Sequence, residues 1–324
     1  MTIFGSFLAP SIASASTPER PASQPPPPAP ASQPPPPLTI DRQSVLDKLL
    51  AAARGASEIV MRVYAEEGDM GAELKGPNDP VTRADKEANA FLIDALTASL
   101  PGIPIVAEES APSTYAGFEA APVTLFVDPV DGTRDFIAKN GEFCVMIGLA
   151  EGGRATVGVV LCPVFGGRRL TYGAAEGIGA FLIGDDGSKE PVHVSSVADF
   201  ADVRCAVSRF HRTKNVDAKL RALGCKALVP IGSSGIKGVQ VGSGGLELYA
   251  NPSRGRVKLW DACAPEAIVR AAGGIYTDAK GIPFDYRGPV EQGQGTLAAN
   301  PTLHAEALRR FAEHDQQTGG ETIS

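Results

Sequence analysis

No stretch of this sequence approaches the ~20 consecutive apolar residues that a helix needs to cross a bilayer, so a helical membrane protein is excluded. Cysteine is sparse and odd in number: Cys144, Cys162, Cys205, Cys225 and Cys263 are scattered, mostly within apolar runs. That pattern excludes a disulfide framework and a zinc site, and it reads as reduced core thiols in a cytoplasmic protein. The four histidines, His193, His211, His304 and His314, show no metal-ligand spacing. Basic residues are outnumbered, 30 Lys and Arg against 37 Asp and Glu, for a net charge of −7. This argues against a nucleic-acid or anionic-membrane surface, although it leaves room for a local basic pocket that takes a small anion. Residues 1–16 are mildly apolar, but no Lys or Arg precedes the apolar part and Pro10 interrupts it, so the segment is not read as a secretion signal.

What is present is enough for one large or two ordinary folded domains: 324 residues, 43% of them hydrophobic. Residues 17–37 are mostly Pro, Ala, Ser and Gln with two Pro-Pro-Pro-Pro blocks, and cannot bury enough surface to fold. The expected organisation is a disordered Pro-rich leader over 1–40, an N-terminal α+β metal-binding domain over 41–190, a C-terminal α/β domain over 191–314 and a polar tail over 315–324. Apolar residues at helical spacing from Val45 to Tyr64 predict a long amphipathic helix. A polar, turn-rich loop follows over 73–80. A second helix then has Asp85 in its first turn and Ala84, Ala88, Phe91, Leu92, Ala95 and Leu96 as its apolar face. A short strand over 103–107 ends at Glu108-Glu109. Hairpin strands over 144–150 and 155–162, with further strands over 169–174 and 179–183, predict an antiparallel sheet. The polar stretch 184–190 leads into the second half. There, strands over 203–208, 227–231 and 246–250 alternate with helical segments, which predicts a mainly parallel α/β unit and a cleft between two layers. Trp260-Asp261 opens a helix that ends at Gly273-Gly274, and Asp261 by itself reads first as its N-cap.

The chain is organised around Asp128-Pro129-Val130-Asp131-Gly132-Thr133, which follows the apolar strand 123–127. Pro129 holds Asp128 extended, so two carboxylates and the Val130 carbonyl face one point. Gly132-Thr133 opens a short helix whose first N–H groups point at an anion. Hard oxygen ligands beside such a helix suggest Mg²⁺ with a phosphate. On turn chemistry alone, a turn with an Asp cap fits equally well.

Taken jointly, Asp79-Pro80-Val81-Thr82-Arg83-Ala84-Asp85, Glu108-Glu109-Ser110, the central motif, Trp260-Asp261 and Ala271-Ala272-Gly273-Gly274 resemble the inositol monophosphatase superfamily, from about residue 41 to 314. The resemblance implies an αβαβα layered fold, Mg²⁺-dependent phosphomonoester hydrolysis with two to three ions, sensitivity to Li⁺ and a homodimer. It implies Glu108, Asp128, Asp131, Asp261 and the Val130 carbonyl as metal ligands, with Asp85 at a third, weaker site. Thr133, with Glu108 or Asp85 accepting the proton, orients the attacking water, while Gly132 and Thr133 N–H groups hold the phosphate.

Within the superfamily, Ser208-Arg209-Phe210-His211, Gly232-Ser233-Ser234 with Lys237, and the segment from Lys258 to Glu266 look most like the 3′(2′),5′-bisphosphate nucleotidases. The resemblance implies removal of the 3′-phosphate from adenosine 3′,5′-bisphosphate. Ser208, Gly232, Ser233 and Asp261 join the substrate contacts, and His211, Lys237, Arg254 or Arg256 supplies the cationic pocket for the second phosphate. No aromatic clamp for a base is evident. The rival readings are an inositol-1-phosphate phosphatase, a fructose-1,6-bisphosphatase-like sugar phosphatase, and a non-catalytic protein that uses its Pro-rich leader as bait.

Overall fold

Asp41 accepts from the N–H groups of Gln43 and Ser44, both at 3.1 Å, and so caps α1 (Arg42–Ala65). The computed structural model describes residues 40–68, 70–76, 79–210, 212–253 and 255–318. His211, Arg254, the end of the tail and all but the last residue of the leader lie outside them. Helix α1 buries Val45, Leu46, Leu49, Ala53, Ala56, Val60 and Val63 on one face. The segment expected to be a loop forms a hairpin instead, β1 (Glu73–Gly76) and β2 (Asp79–Val81). β1 buries none of its residues, so no alternating signal marks it, and Leu74 is exposed. Helix α2 (Arg83–Ser99) follows. Phe91, assigned to its apolar face, lies at the edge of the α1–α2 contact and is partly exposed. Its ring covers Gly55, where any side chain would collide with it.

Next come β3 (Ile105–Ala107), β4 (Val123–Asp131), α3 (Thr133–Ile137), β5 (Cys144–Glu151), β6 (Arg154–Cys162), β7 (Leu170–Ala175), β8 (Gly179–Ile183) and β9 (Lys189–Pro191). The seven strands β3 to β9 form one sheet in sequence order, antiparallel except for the β3–β4 pair. Its last strand comes from the polar stretch 184–190, where no strand was expected.

The second half runs β10 (Arg204–Ser208), α4 (Lys214–Ala222), β11 (Ala227–Ile231), α5 (Ser234–Gly242), β12 (Leu248–Asn251), β13 (Val257–Lys258), α6 (Leu259–Ala271), β14 (Ile275–Thr277), β15 (Glu291–Gln292), β16 (Thr296–Ala299) and α7 (Pro301–Gln317). Helix α7 continues six residues beyond Phe311, where the last helix was expected to end. Its sheet has the order β11-β10-β12-β16-β14. β10 runs parallel to both β11 and β12, whereas the β12–β16 and β14–β16 pairs are antiparallel. The sheet is therefore mixed rather than mainly parallel. Parallel pairing needs a crossover such as α4, and the Gly- and Pro-rich segment between β14 and β16 carries no helix.

Strand alternation sorts the layers. Leu125, Val127, Val145, Ile147 and Val159 face the α1–α2 core, while Phe126, Cys144, Met146, Val160 and Cys162 face α5, α6 and the inner side of the second sheet. Cys205, Val207, Leu248, Leu297 and Ala299 face α4 and α7. The order is helices, sheet, helices, sheet, helices: the expected αβαβα sandwich. Gly148 and Gly158 are paired on β5 and β6 beneath α6. A Cβ on Gly148 would lie 2.8 Å from Ala264 N, and one on Gly158 3.0 Å from Ala267 Cβ, so α6 packs directly on backbone there.

Candidate active site

In an unbroken strand, Asp128 and Asp131 would point to opposite faces, because they are three residues apart. Asp128 pairs with Met146, but Asp131 pairs with Cys144, so β4 carries one extra residue between them. This bulge at Pro129-Val130 returns Asp131 to the side of Asp128, at a position where proline's missing donor breaks no ladder. The Val130 N–H donates to Asp128 Oδ1 at 3.0 Å. Parallel pairing of Ala107 with Val127 puts Glu108 beside Asp128, and Glu108 N donates to Val127 O at 3.1 Å.

The third acid comes from the other side of the cleft. Lys258, not Asp261, occupies the N-cap position of α6, so Asp261 lies in the first turn. Its carboxylate there complements the helix dipole. Asp128, Asp131 and Asp261 each bring one oxygen within 4.8 Å of the others. Burial, then Glu108 and the neighbouring aspartates, pushes the Asp128 carboxyl well above its ordinary pKa. Burial, then Asp131, does the same for Asp261. An array of hard oxygen donors that resists ionising alone fits a divalent cation, whose charge removes the mutual repulsion.

Glu108 lies outside that close triad and pairs with Lys75 Nζ at 3.0 Å; Glu109 pairs with the same ammonium at 2.6 Å. Although burial works against it, the two glutamates hold the Lys75 pKa above its ordinary value. Asp85 completes a capping box: its Oδ2 accepts from Thr82 N at 2.8 Å and Thr82 Oγ1 at 2.5 Å. Its Oδ1 is 3.1 Å from the Thr133 hydroxyl, which also reaches the Val130 carbonyl at 3.2 Å. Burial raises the Asp85 pKa against the opposing hydrogen bonds from Thr82 and Thr133.

Asp131 is held from the N-terminus of α5. Its Oδ2 accepts from Ser233 Oγ and, at 2.6 Å, from Gly235 N–H. Ser233 also caps α5 through Ile236 N at 3.0 Å. Lys237, expected to face a second phosphate, is only 2% exposed, and its ammonium donates to the carbonyls of Ile231, Gly232 and Ser233 at 3.3, 2.5 and 2.7 Å. Burial lowers its pKa to about 8 against the pull of Asp131 and Asp135. So engaged, it ties the turn before α5.

The cleft these elements enclose measures about 470 Å³. Glu108, Asp131, Gly132, Thr133, Ser208, Gly232, Lys237, Arg256 and Asp261 line it, whereas Ser233 sits behind its wall. His211 is outside the described residues. Sequence reasoning missed Gly235, Lys75, Arg134, Phe210, Asn251 and Lys258. Phe210 stood in the Ser208-Arg209-Phe210-His211 segment that carries the resemblance but was given no role there; backbone contacts such as that of Gly235 leave no signal in the sequence.

Residues 41–316 match the model of the inositol monophosphatase family. The chain is 35% identical over 245 residues to the 3′(2′),5′-bisphosphate nucleotidase CysQ of Shigella flexneri, covering 75% of this chain and 94% of that protein. It is 27% identical to 3′(2′),5′-bisphosphate nucleotidase 1 of Rattus norvegicus, covering 79% and 92%. Among solved structures, the extragenic suppressor protein suhB of Bartonella henselae superposes with a TM-score of 0.71 at 24% identity, covering 83% of this chain and 98% of that one. With its acids gathered in one cleft and its whole folded length matched, the chain belongs to the inositol monophosphatase family and is a metal-dependent phosphomonoesterase.

Proposed function

We propose that the protein is a Mg²⁺-dependent 3′(2′),5′-bisphosphate nucleotidase that converts adenosine 3′,5′-bisphosphate to AMP and phosphate. The observation that carries this reading is the mixed lining of one cleft: Asp131 and Asp261 of the acid triad share it with Arg134, Arg256 and Lys258. A substrate with two phosphates needs a metal end for the phosphate cleaved and a cationic wall for the one retained. The sequence similarity to proteins named bisphosphate nucleotidases supports the same substrate.

In this reading Glu108, Asp128, Asp131, Asp261 and the Val130 carbonyl hold two ions, and Asp85 serves a third. The bound cation supplies Lewis-acid charge to the phosphoryl group and acidifies water. The protein's own groups position and move protons. The Thr133 hydroxyl, hydrogen-bonded to Asp85, orients the attacking water, and Asp85 or Glu108 accepts the proton. Gly132 and Thr133 N–H groups hold the phosphate, while Ser208, Gly232 and Ser233 shape the wall around it. Because Lys237 is engaged with three carbonyls, the second-phosphate role passes to Arg256 and Lys258, which share one side of the β13 segment. Inhibition by Li⁺, a homodimer, cytoplasmic residence and a division at about residue 190 belong to the same proposal.

Phosphate release from adenosine 3′,5′-bisphosphate, inositol 1-phosphate and fructose 1,6-bisphosphate tests it. Preference for the first, with dependence on Mg²⁺, is the expected result; preference for inositol 1-phosphate rejects the nucleotidase reading.

A further inference from the structure

Phe210 is 44% exposed, and it is the one large exposed hydrophobic among the described residues that lines the cleft. Its position is built. Arg209 turns the other way and grips Glu142 at 2.6 and 3.2 Å and the Pro230 carbonyl at 3.0 Å, while its N–H donates to Ile231 O at 3.2 Å. The backbone on which Phe210 stands is therefore fixed while its ring stays open, with the Arg134 guanidinium 5.8 Å from the ring centroid. Phe91, another exposed phenylalanine, is closed off against Gly55; Phe210 meets the cleft instead.

A second observation comes from the neighbouring strand. Cys205 pairs with Leu248 and Ala206 with Tyr249, so continuing the parallel register brings Asn251 beside Ser208, two residues before Phe210. Asn251 lines the cleft, and its Oδ1 is buried with no hydrogen-bond partner among the described residues. A buried acceptor left unpaired is costly, and at a cleft wall it is explained by a donor that arrives with the ligand. Both residues stand at the carboxyl ends of parallel strands, where open α/β sheets bind ligands.

Resting on the nucleotidase reading above, we propose that Phe210 and Asn251 form the subsite for the planar heteroaromatic base of a nucleotide substrate. The base stacks on the Phe210 ring, and the Asn251 carbonyl accepts from an N–H on its edge. Every base has a π-face, so stacking supplies affinity; the amide supplies orientation.

The test is the ratio of kcat/KM for adenosine 3′,5′-bisphosphate to that for fructose 1,6-bisphosphate, which carries two phosphates and no base. Phe210→Ala is expected to lower this ratio about tenfold, mainly through KM on the nucleotide, and Phe210→Trp to restore it. Asn251→Ala is expected to lower it about fivefold, the loss of one hydrogen bond. Because Phe210 is exposed, Phe210→Ala should fold with an unchanged Tm. An unchanged ratio in Phe210→Ala, or equal losses on both substrates, overturns the subsite while the nucleotidase reading stands. An unchanged ratio in Asn251→Ala overturns the edge contact. A wild-type protein that does not prefer the nucleotide overturns both the reading and the subsite.

Discussion

The Thr133 hydroxyl lies 3.1 Å from Asp85 Oδ1, so the first residue of α3 is tied to the first turn of α2 across the acid cluster. Neither residue belongs to the close triad. Thr133→Val and Asp85→Asn should each lower kcat by about a hundredfold or more and change KM little, since general-base assistance acts in the transition state. The double variant should be little worse than the poorer single one. Steady-state kinetics on all three proteins checks this; additive losses would show that the two groups act separately.

Gly235 gives Asp131 its backbone donor, and a side chain there would collide with Met146 Sδ and lie 2.7 Å from Cys144 Sγ. Gly235→Ala should raise the Mg²⁺ concentration for half-maximal activity about tenfold, the usual effect of disturbing a ligand's hydrogen bond. Asp131→Asn, which keeps the shape but loses the charge, should abolish turnover at any Mg²⁺ concentration in a folded protein. Metal titrations of activity, with circular dichroism to verify the fold, decide both.

Lys237→Met should destabilise the protein by about 3 kcal/mol, because the charged donor to three carbonyls disappears from a buried position. Turnover of mono- and bisphosphates should fall alike, since the turn that presents Ser233 to Asp131 loosens. Urea unfolding and parallel kinetics measure the two effects. A loss confined to bisphosphates would return Lys237 to the second-phosphate pocket.

Glu266 is buried in α6 and accepts from the Tyr286 hydroxyl at 2.6 Å, with Arg270 at 3.6 Å. Burial outweighs both partners and lifts its pKa from 4.5 to about 7. The folded protein therefore keeps a proton that the unfolded chain releases. This contribution is fully present below the unfolded value of 4.5 and is lost as pH rises through about 7. A rise of that size corresponds to roughly 3 kcal/mol. Relative to wild type, Glu266→Gln should unfold at higher urea at about pH 8.5 than at about pH 5.5; a difference between the two proteins that stays constant with pH would refute the assignment.

The acid cluster was legible because its residues stand at strand and helix ends: Asp128 and Asp131 at the end of β4, Asp261 in the first turn of α6. The αβαβα layering followed from the family resemblance; the alternation of strands and helices in the second half indicated by itself only two layers with a cleft between them. What could not be read were relations across the chain. The sequence returned Asp131 to the side of Asp128, but the bulge that does so depends on its pairing with Cys144 and was not read. β1 of the β1–β2 hairpin has no buried residue to pattern. Lys237 looked like a free cation because the carbonyls that hold it are backbone atoms, which are the same in every sequence. The mixed order of the second sheet depends on which edge β16 joins, and nothing local to β16 specifies that.

Gly148 and Gly158 let α6 rest on the backbone of β5 and β6, of which β5 adjoins the strand that carries Asp128 and Asp131. The spacing between the two halves of the acid cluster is thereby set by a contact one and more helical turns away from Asp261. A side chain introduced at either glycine would act as a shim, prying apart donors it never touches. Variants at these positions should therefore appear in a functional screen as proteins starved of cation and partly rescued by excess Mg²⁺, although neither glycine lines the cleft.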